Sequence, residues 1–403
     1  MVARPEQPDL PANSPQAVDG CAPDRMSAVP SGQGTSARPR PAPGPVLSLV
    51  AGSVLTLGQT SQPVPGDWQQ ALDRLAAWLD LDIRLIPVRP VSELRRAAAW
   101  ASSIASAATV PVFAPWQAVS PVALQGGGHA FLPRASWVAS YLHDQGAGKK
   151  LKAGGLDVML MSPLPAACPV DDECGAPMPR ADAMQAMLQA ARQEGRSRVA
   201  IIVDSRRRNL MVRRLLIAGR PAARDDLQIE VLTIEDALCH LVRHAGRWDA
   251  IVVLPDLRSL VFAMLAETTG IRSPWPMLWH QRDFSGVSGE ALDEADAVLP
   301  LNAPLLVQAL ALAASQAGMR QAAHKLQQGA ARVWDCGIIT PGRGSVAPYV
   351  TEVTDQEFIE QMCGGIAGSP RKPAPWRAIA PVQTAARPAA RPALRLVSAI
   401  TGQ

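Results

Sequence analysis

The chain has 403 residues, 48% of them apolar, a formal net charge of +4 and six cysteines. That length carries one large domain or two ordinary ones, and so few cysteines spread over it do not make a disulfide framework. No apolar run reaches the roughly 18 residues of a membrane-crossing helix and the N-terminus lacks a signal's apolar core, so no membrane span is expected and the cytoplasm is the expected compartment.

Residues 1–45 are rich in Pro, Ala, Ser and Gly, with Pro39, Pro41, Pro43 and Pro45 nearly alternating. Such a segment cannot bury enough apolar surface to offset its ordering entropy, and disorder is expected. Val46–Ala51 reads as the first strand. Further strands are expected at 82–88, 109–113, 156–160, 198–203, 229–232, 249–254 and 297–299. Helices are expected at 67–79, 91–107, 181–194, 235–244, 257–268, 303–317 and 354–362. Near-continuous Val/Ile/Leu strands between amphipathic helices indicate an α/β fold whose sheet is covered on both faces. After Glu360 there is no acidic residue, while Arg371, Lys372, Arg377, Arg387, Arg391 and Arg395 follow. Residues 366–403 therefore read as a disordered basic tail.

Isolated chemical groupings carry little. Cys168 and Cys174 flank Asp171, Asp172 and Glu173 in a Pro-rich loop, and that spacing without a second pair argues against zinc. His240 and His244 share a helix face without the rest of a zinc-protease motif. Gly126–His129 fits neither a dinucleotide nor a phosphate loop and reads as a flexible hairpin. Trp275 and Trp279 around Pro276 read as a loop packed on the core. Arg206, Arg207, Arg208, Arg213 and Arg214 cluster at a helix start, where positive charge opposes the helix dipole, so a small anionic ligand is one reading of them. The mild net charge and the lack of aromatic interleaving argue against nucleic acid.

Three segments together resemble a known family. Arg247–Gly270, RWDAIVVLPDLRSLVFAMLAETTG, reads as strand, tight turn and helix. It resembles the segment FDVIVT-x-NLFGDILSD-x-AA of the isocitrate/isopropylmalate dehydrogenases, which are metal-dependent β-decarboxylating enzymes. Ala331–Met362 resembles the family's closing segment through Arg332, Asp335, Gly337, Thr351, Glu352, Thr354 and Asp355. A helical hairpin over 303–329, ending HKLQQG, precedes it. Asp204 to Leu210, after the apolar strand 198–203, is similar to the family's V-x-K-x-N-V-L.

The resemblance implies a two-lobed isopropylmalate dehydrogenase-like fold with lobes discontinuous in sequence. Residues 46 to about 135 and about 255 to 365 would form one lobe, and about 135–255 the second, dimerising one. It also implies NAD or NADP as hydride acceptor, Mg²⁺ or Mn²⁺ on a 2-hydroxy acid, and a site shared between subunits. A hard divalent ion needs converging carboxylate oxygens. Yet the family's two helix Asp fall on Ser259 and Ala263, or on Leu260 and Met264 with one inserted residue. The partner's metal ligand would be Glu235, beside Asp236. Arg207 stands in place of the family Lys, and a guanidinium does not give up its proton. No Tyr follows the strand at 156–160. The cofactor loop is absent, leaving Asn302 and Asp335 as remnants of a cofactor site.

The expectation is thus a catalytically degenerate family member with a regulatory or scaffolding role, as a homodimer or as a heteromer with an active paralogue. The alternative is an active NAD(P)- and Mg-dependent oxidoreductase whose ligands have moved to Asp256, Glu267 or the run 290–296. The two readings separate on one point: two or three carboxylates converging in the cleft between the lobes would favour the enzyme.

Overall fold

The structure, a computed structural model, describes residues 45–51, 66–87, 111–126, 135–144, 156–218, 227–270, 273–282, 284–291, 302–341, 350–365 and 376–379. The helix expected at 91–107, the strand at 297–299, nearly all of segment 1–45 and most of the tail lie outside these residues. Ten strands form one sheet: β1 (Val46–Ala51), β2 (Asp82–Pro87), β3 (Val112–Val119), β4 (Trp137–Asp144), β5 (Leu156–Pro163), β6 (Arg198–Val203), β7 (Gln228–Thr233), β8 (Ala250–Val253), β9 (Trp275–Gln281) and β10 (Phe284–Glu290). Their spatial order is β2-β1-β3-β10-β9-β4-β5-β8-β6-β7.

The order contains two parallel groups. In β2-β1-β3-β10 every neighbour runs parallel, as it does in β5-β8-β6-β7. Between them β9 and β4 pair antiparallel with each other and with their flanking strands. Three reversals in a row set the two groups in opposite directions. The first group draws on residues 46–119 and 284–290 and the second on 156–253, so the two halves are discontinuous in sequence. The fold is α/β, one continuous sheet whose two parallel groups are discontinuous in sequence.

The helices explain why the central strands carry so few polar residues. α1 (Gly66–Leu79) follows β1, and the single turn α2 (Ala123–Gly126) follows β3. In the second half come α3 (Ala181–Gln193), α4 (Ser205–Ala218), α5 (Ile234–Arg243) and α6 (Pro255–Thr269). Met159, Met161, Val199, Ile201, Ala250 and Val252 face the cluster that holds Met184 and Met187 of α3 and Leu210 and Met211 of α4. The alternate residues Val158, Leu160, Ala200, Ile202, Ile251 and Val253 face Ala237 and Leu241 of α5 and Val261, Phe262 and Leu265 of α6. A strand sends successive side chains to opposite faces. Covering both faces therefore demands the unbroken apolar runs that the sequence shows. Each fully buried aliphatic side chain contributes roughly 1.5–3 kcal/mol.

α7 (Ala303–Gln316) is apolar around its whole circumference, and eleven of its residues are buried. It lies against β3, β9 and β10 and is covered by α8 (Arg320–Asp335) and α9 (Asp355–Gly364). A capping box closes the start of α9: Thr354 Oγ1 accepts from Glu357 N, and the Glu357 side chain accepts from Thr354 N. Gly329 is required by close approach, because a Cβ there would stand 2.8 Å from Met362 Cγ and 2.9 Å from Trp78 Cη2. Two short strands, β11 (Ile338–Ile339) and β12 (Thr351–Glu352), pair parallel beside α8. Among the described residues no helix is long and apolar enough to cross a membrane.

Two expectations are corrected here. Trp275 and Trp279 do not belong to a loop; they are buried in β9, where Trp279 Nε1 donates to Ser288 Oγ on β10 at 2.8 Å. The tail is not wholly disordered: Trp376 and Ile379 are 1% and 0% exposed, docked on the second half of the sheet. Pro/Ala/Arg composition hid a short segment with enough apolar area to hold a place.

Candidate functional site

In an open α/β sheet, ligands bind outside the carboxyl ends of neighbouring strands whose chains depart to opposite faces. β6 and β8 are such a pair. The chain leaves β6 through Asp204 into α4 on one face, and leaves β8 through Leu254 into α6 on the other. The first turn of α6 is also reached from the first half of the sheet. Gln125, past the carboxyl end of β3, donates from Nε2 to Pro255 O at 2.9 Å. Glu290, the last residue of β10, meets Arg258. Strand ends from both halves thus converge on residues 255–258.

Two guanidiniums organise that point. Arg207, 2% exposed, lies 2.5 Å from Asp204 Oδ2 and 2.5 Å from Asp256 Oδ2, and donates to Pro177 O at 3.2 Å. Asp204 also accepts the backbone N–H of Arg207 at 2.9 Å. Partial burial works against the Asp204 charge, yet the Arg207 N–H and guanidinium hold its carboxyl below the usual range. Burial likewise opposes the charge on Arg207, but hydrogen bonds to Asp256 and Asp204 raise it above its ordinary value.

Arg258 is 1% exposed and Glu290 0%. Arg258 Nε donates to Glu290 Oε1 at 2.8 Å and Nη2 to Glu290 Oε2 at 2.7 Å. Nη2 also donates to Ser140 Oγ at 2.9 Å, and the Ser140 hydroxyl in turn donates to Glu290. Beside Arg207, burial pushes the Cys168 thiol up to about 12, so it stays protonated and unreactive at neutral pH.

Asp204 and Asp256 share Arg207, and Glu290 is engaged separately by Arg258. A divalent ion needs several uncommitted oxygens at one point. Among the described residues no group of three or more His, Cys, Asp or Glu could hold a metal. The donor set does not fit Mg²⁺ or Mn²⁺. Of the relocated ligands considered, Asp256 is taken by Arg207 and Glu290 by Arg258. Glu267 lies exposed near the far end of α6, and residues 292–296 fall outside the described chain.

The other sequence candidates sit apart. Ser259 and Ala263 are half-buried one turn apart on α6; of the alternative pair, Met264 is half-buried and Leu260 is 39% exposed. Glu235 is exposed in the first turn of α5, and among the described residues no hydrogen bond or ion pair joins it to residues 255–258. Asn302 is the N-cap of α7, accepting from Leu305 N at 2.8 Å, and Ala303 N donates to Asp355 at 2.7 Å. Asp335 is the half-buried last residue of α8.

Three of the five clustered arginines, Arg207, Arg213 and Arg214, pair with acids. Arg213 pairs with Glu173 and Arg214 with Asp171, and Arg208 Nε donates to Val231 O at 3.4 Å. The acids come from the loop between Cys168 and Cys174. That loop is also tied internally: Asp171 Oδ1 accepts from the backbone N–H groups of Glu173 and Cys174, and Val170 bridges to Pro177.

Arg258 and Ser140 were not legible as site residues, and Glu290 was named only as the first residue of the run 290–296. One available signal was a lone Arg inside the otherwise apolar stretch of α6, which needs a buried acid somewhere.

No family model matches the sequence, and no curated protein does. Solved structures do. The isocitrate dehydrogenase of Methylococcus capsulatus superposes with a TM-score of 0.52 at 13% identity, over 79% of this chain and 98% of that one. The TT0538 protein of Thermus thermophilus superposes with a TM-score of 0.55 at 14% identity, over 86% of this chain and 73% of that one. At these identities the shared property is the fold.

Proposed function

We propose that this protein is a catalytically degenerate relative of the isocitrate/isopropylmalate dehydrogenases with a regulatory or scaffolding role. The observation that carries the reading is the double occupancy of residues 255–258. The carboxylates there, Asp204, Asp256 and Glu290, are each paired to Arg207 or Arg258. Metal-assisted hydride transfer needs an electrophile on the substrate oxygen and a group that returns a proton. Arginine supplies neither a vacant coordination site nor a readily transferable proton.

The test is a thermal-shift titration of the purified chain with NAD, NADP, Mn²⁺ and Mg²⁺ and with isocitrate and isopropylmalate, coupled to an assay of NAD(P)H formation. A ligand at a hundred times its Kd raises stability by about 2.7 kcal/mol, which such a titration detects. The expected result is no metal-dependent shift and no turnover. Turnover on the order of one per second with either acid would instead establish an active enzyme with relocated ligands.

A role without chemistry works through partners. We propose a homodimer, or a heteromer with an active paralogue, formed by the middle segment. Val242, Leu216 and Ile217, 56%, 58% and 74% exposed, lie in that segment. Leu216 and Ile217 on α4 lie on the opposite face of the sheet from Val242 on α5, so an interface would use one group or the other.

A further inference from the structure

We propose that residues 376–379 are a detachable plug, and that the slot holding them is a peptide-binding site for an aromatic residue followed by a basic one. The slot lies at the amino ends of β5, β8 and β6. The Trp376 ring meets Tyr141 edge-on, with centroids 5.7 Å apart at 83°, and lies over His143 at 5.9 Å and 29°. Arg377 Nη1 lies 2.6 Å from Asp249 Oδ2, and Arg377 N donates to Asp157 Oδ2 at 3.1 Å. Ile379 N donates back to Trp376 O at 3.1 Å, so the segment turns on itself and buries Ile379 as well.

The body of the protein holds the slot's acids in place without help from the plug. Asp249 Oδ1 accepts from Ser197 N at 3.1 Å and Arg198 N at 2.7 Å, and its Oδ2 accepts from Ser197 Oγ at 3.2 Å. Arg196, 2% exposed, donates to Asp157 Oδ1 at 2.7 Å and to the backbone oxygens of Asp157 and Asp249 at 3.0 Å each. Glu194 accepts from Tyr141 Oη at 2.7 Å, which fixes the aromatic wall. A site so pre-organised loses little on binding.

The charge balance says what the slot takes. Arg196 answers Asp157 and Glu194, while among the described basic groups of the body the Asp249 carboxylate meets only Arg198, at 3.8 Å and half exposed. One basic group is missing from the body, and Arg377 supplies it. The aromatic floor of Tyr141 and His143 takes a flat ring. Two features make the seat reversible. The buried Trp376 Nε1 has no hydrogen-bond partner, which weakens the docked state. And the plug is tethered by residues 366–375, which include Pro373 and Pro375, so it rebinds from a local concentration on the order of millimolar.

The test uses the full chain with the plug disabled, W376A/R377A, and a fluorescein-labelled peptide of residues 371–383 read by anisotropy. The variant should unfold cooperatively and bind the peptide. The unsubstituted protein, its slot filled in cis, should bind at least about tenfold more weakly. A peptide with Ala at both positions should not bind, and D249N in the variant background should weaken the native peptide about tenfold, since the arginine loses its partner. Three results would each overturn the proposal: a variant that has lost cooperative unfolding, which makes the segment part of the core; a folded variant that ignores the peptide; or equal binding by the unsubstituted protein.

Discussion

Arg258 and Glu290 meet side by side through two parallel hydrogen bonds of 2.8 and 2.7 Å, and neither is open to solvent. The pair joins α6 to the last residue of β10, and so ties the two halves of the sheet together. Removing one member leaves an uncompensated charge in the interior. R258M and E290Q should each lower the free energy of unfolding by about 3–5 kcal/mol, measured in urea. R258M/E290M, which removes both charges, should recover much of the loss. A double variant as unstable as the sum of the singles would show that the two residues are not coupled.

His280 gives the protein an acid sensitivity of known sign. Its ring stacks on Trp137 at 4.1 Å, and burial lowers its pKa from 6.5 to about 4. The unfolded chain takes up a proton near pH 6.5 while the folded one does not until near pH 4. The contribution is therefore complete above pH 6.5 and is lost as the pH falls toward 4. The melting temperature should drop across that window, and H280Q should flatten the drop. An unchanged slope in H280Q would assign the acid sensitivity to other groups.

The docked Trp376 predicts that the two termini differ. Deleting residues 370–403 should cost about 1.5–3 kcal/mol, the worth of one large buried side chain, and W376A alone should account for most of it. Differential scanning calorimetry would register a fall of a few degrees. A truncated protein that melts where the full chain does would mean that the segment contributes no burial in solution.

Light scattering of the purified chain should give twice its 42.7 kDa mass. Lysines in place of Val242, Leu216 and Ile217 should shift the mass toward one chain without altering the melting of the core. A single-chain mass for the unsubstituted protein, doubling only when an active paralogue is added, would favour the heteromer.

Sequence pattern made the doubly covered half of the sheet legible, because β5, β6 and β8 are apolar on both faces and repetition of Val, Ile and Leu is a local signal. The seam was not legible. β4, β9 and β10 carry Ser140, Pro276, Gly286, Ser288 and Gly289, residues with poor strand preference. Their conformation is set by neighbours: a Cβ on Gly289 would come within 3.1 Å of Leu305 Cδ2 and 3.4 Å of Ala118 Cβ. Much the same holds for the site. The resemblance put Ser259 and Ala263 where the family carries carboxylates, but nothing in a linear chain couples position 258 to 290. A buried arginine and its acid are identifiable only when the elements that carry them are brought together.

The plug and the crevice occupy opposite ends of β8. Asp249, which holds Arg377, immediately precedes that strand, and Asp256, which holds Arg207, follows it. Four residues of strand separate the two ends by roughly 13 Å. A macromolecule recruited to the slot therefore approaches from the rim that faces away from residues 255–258, and traffic at one rim leaves the other open.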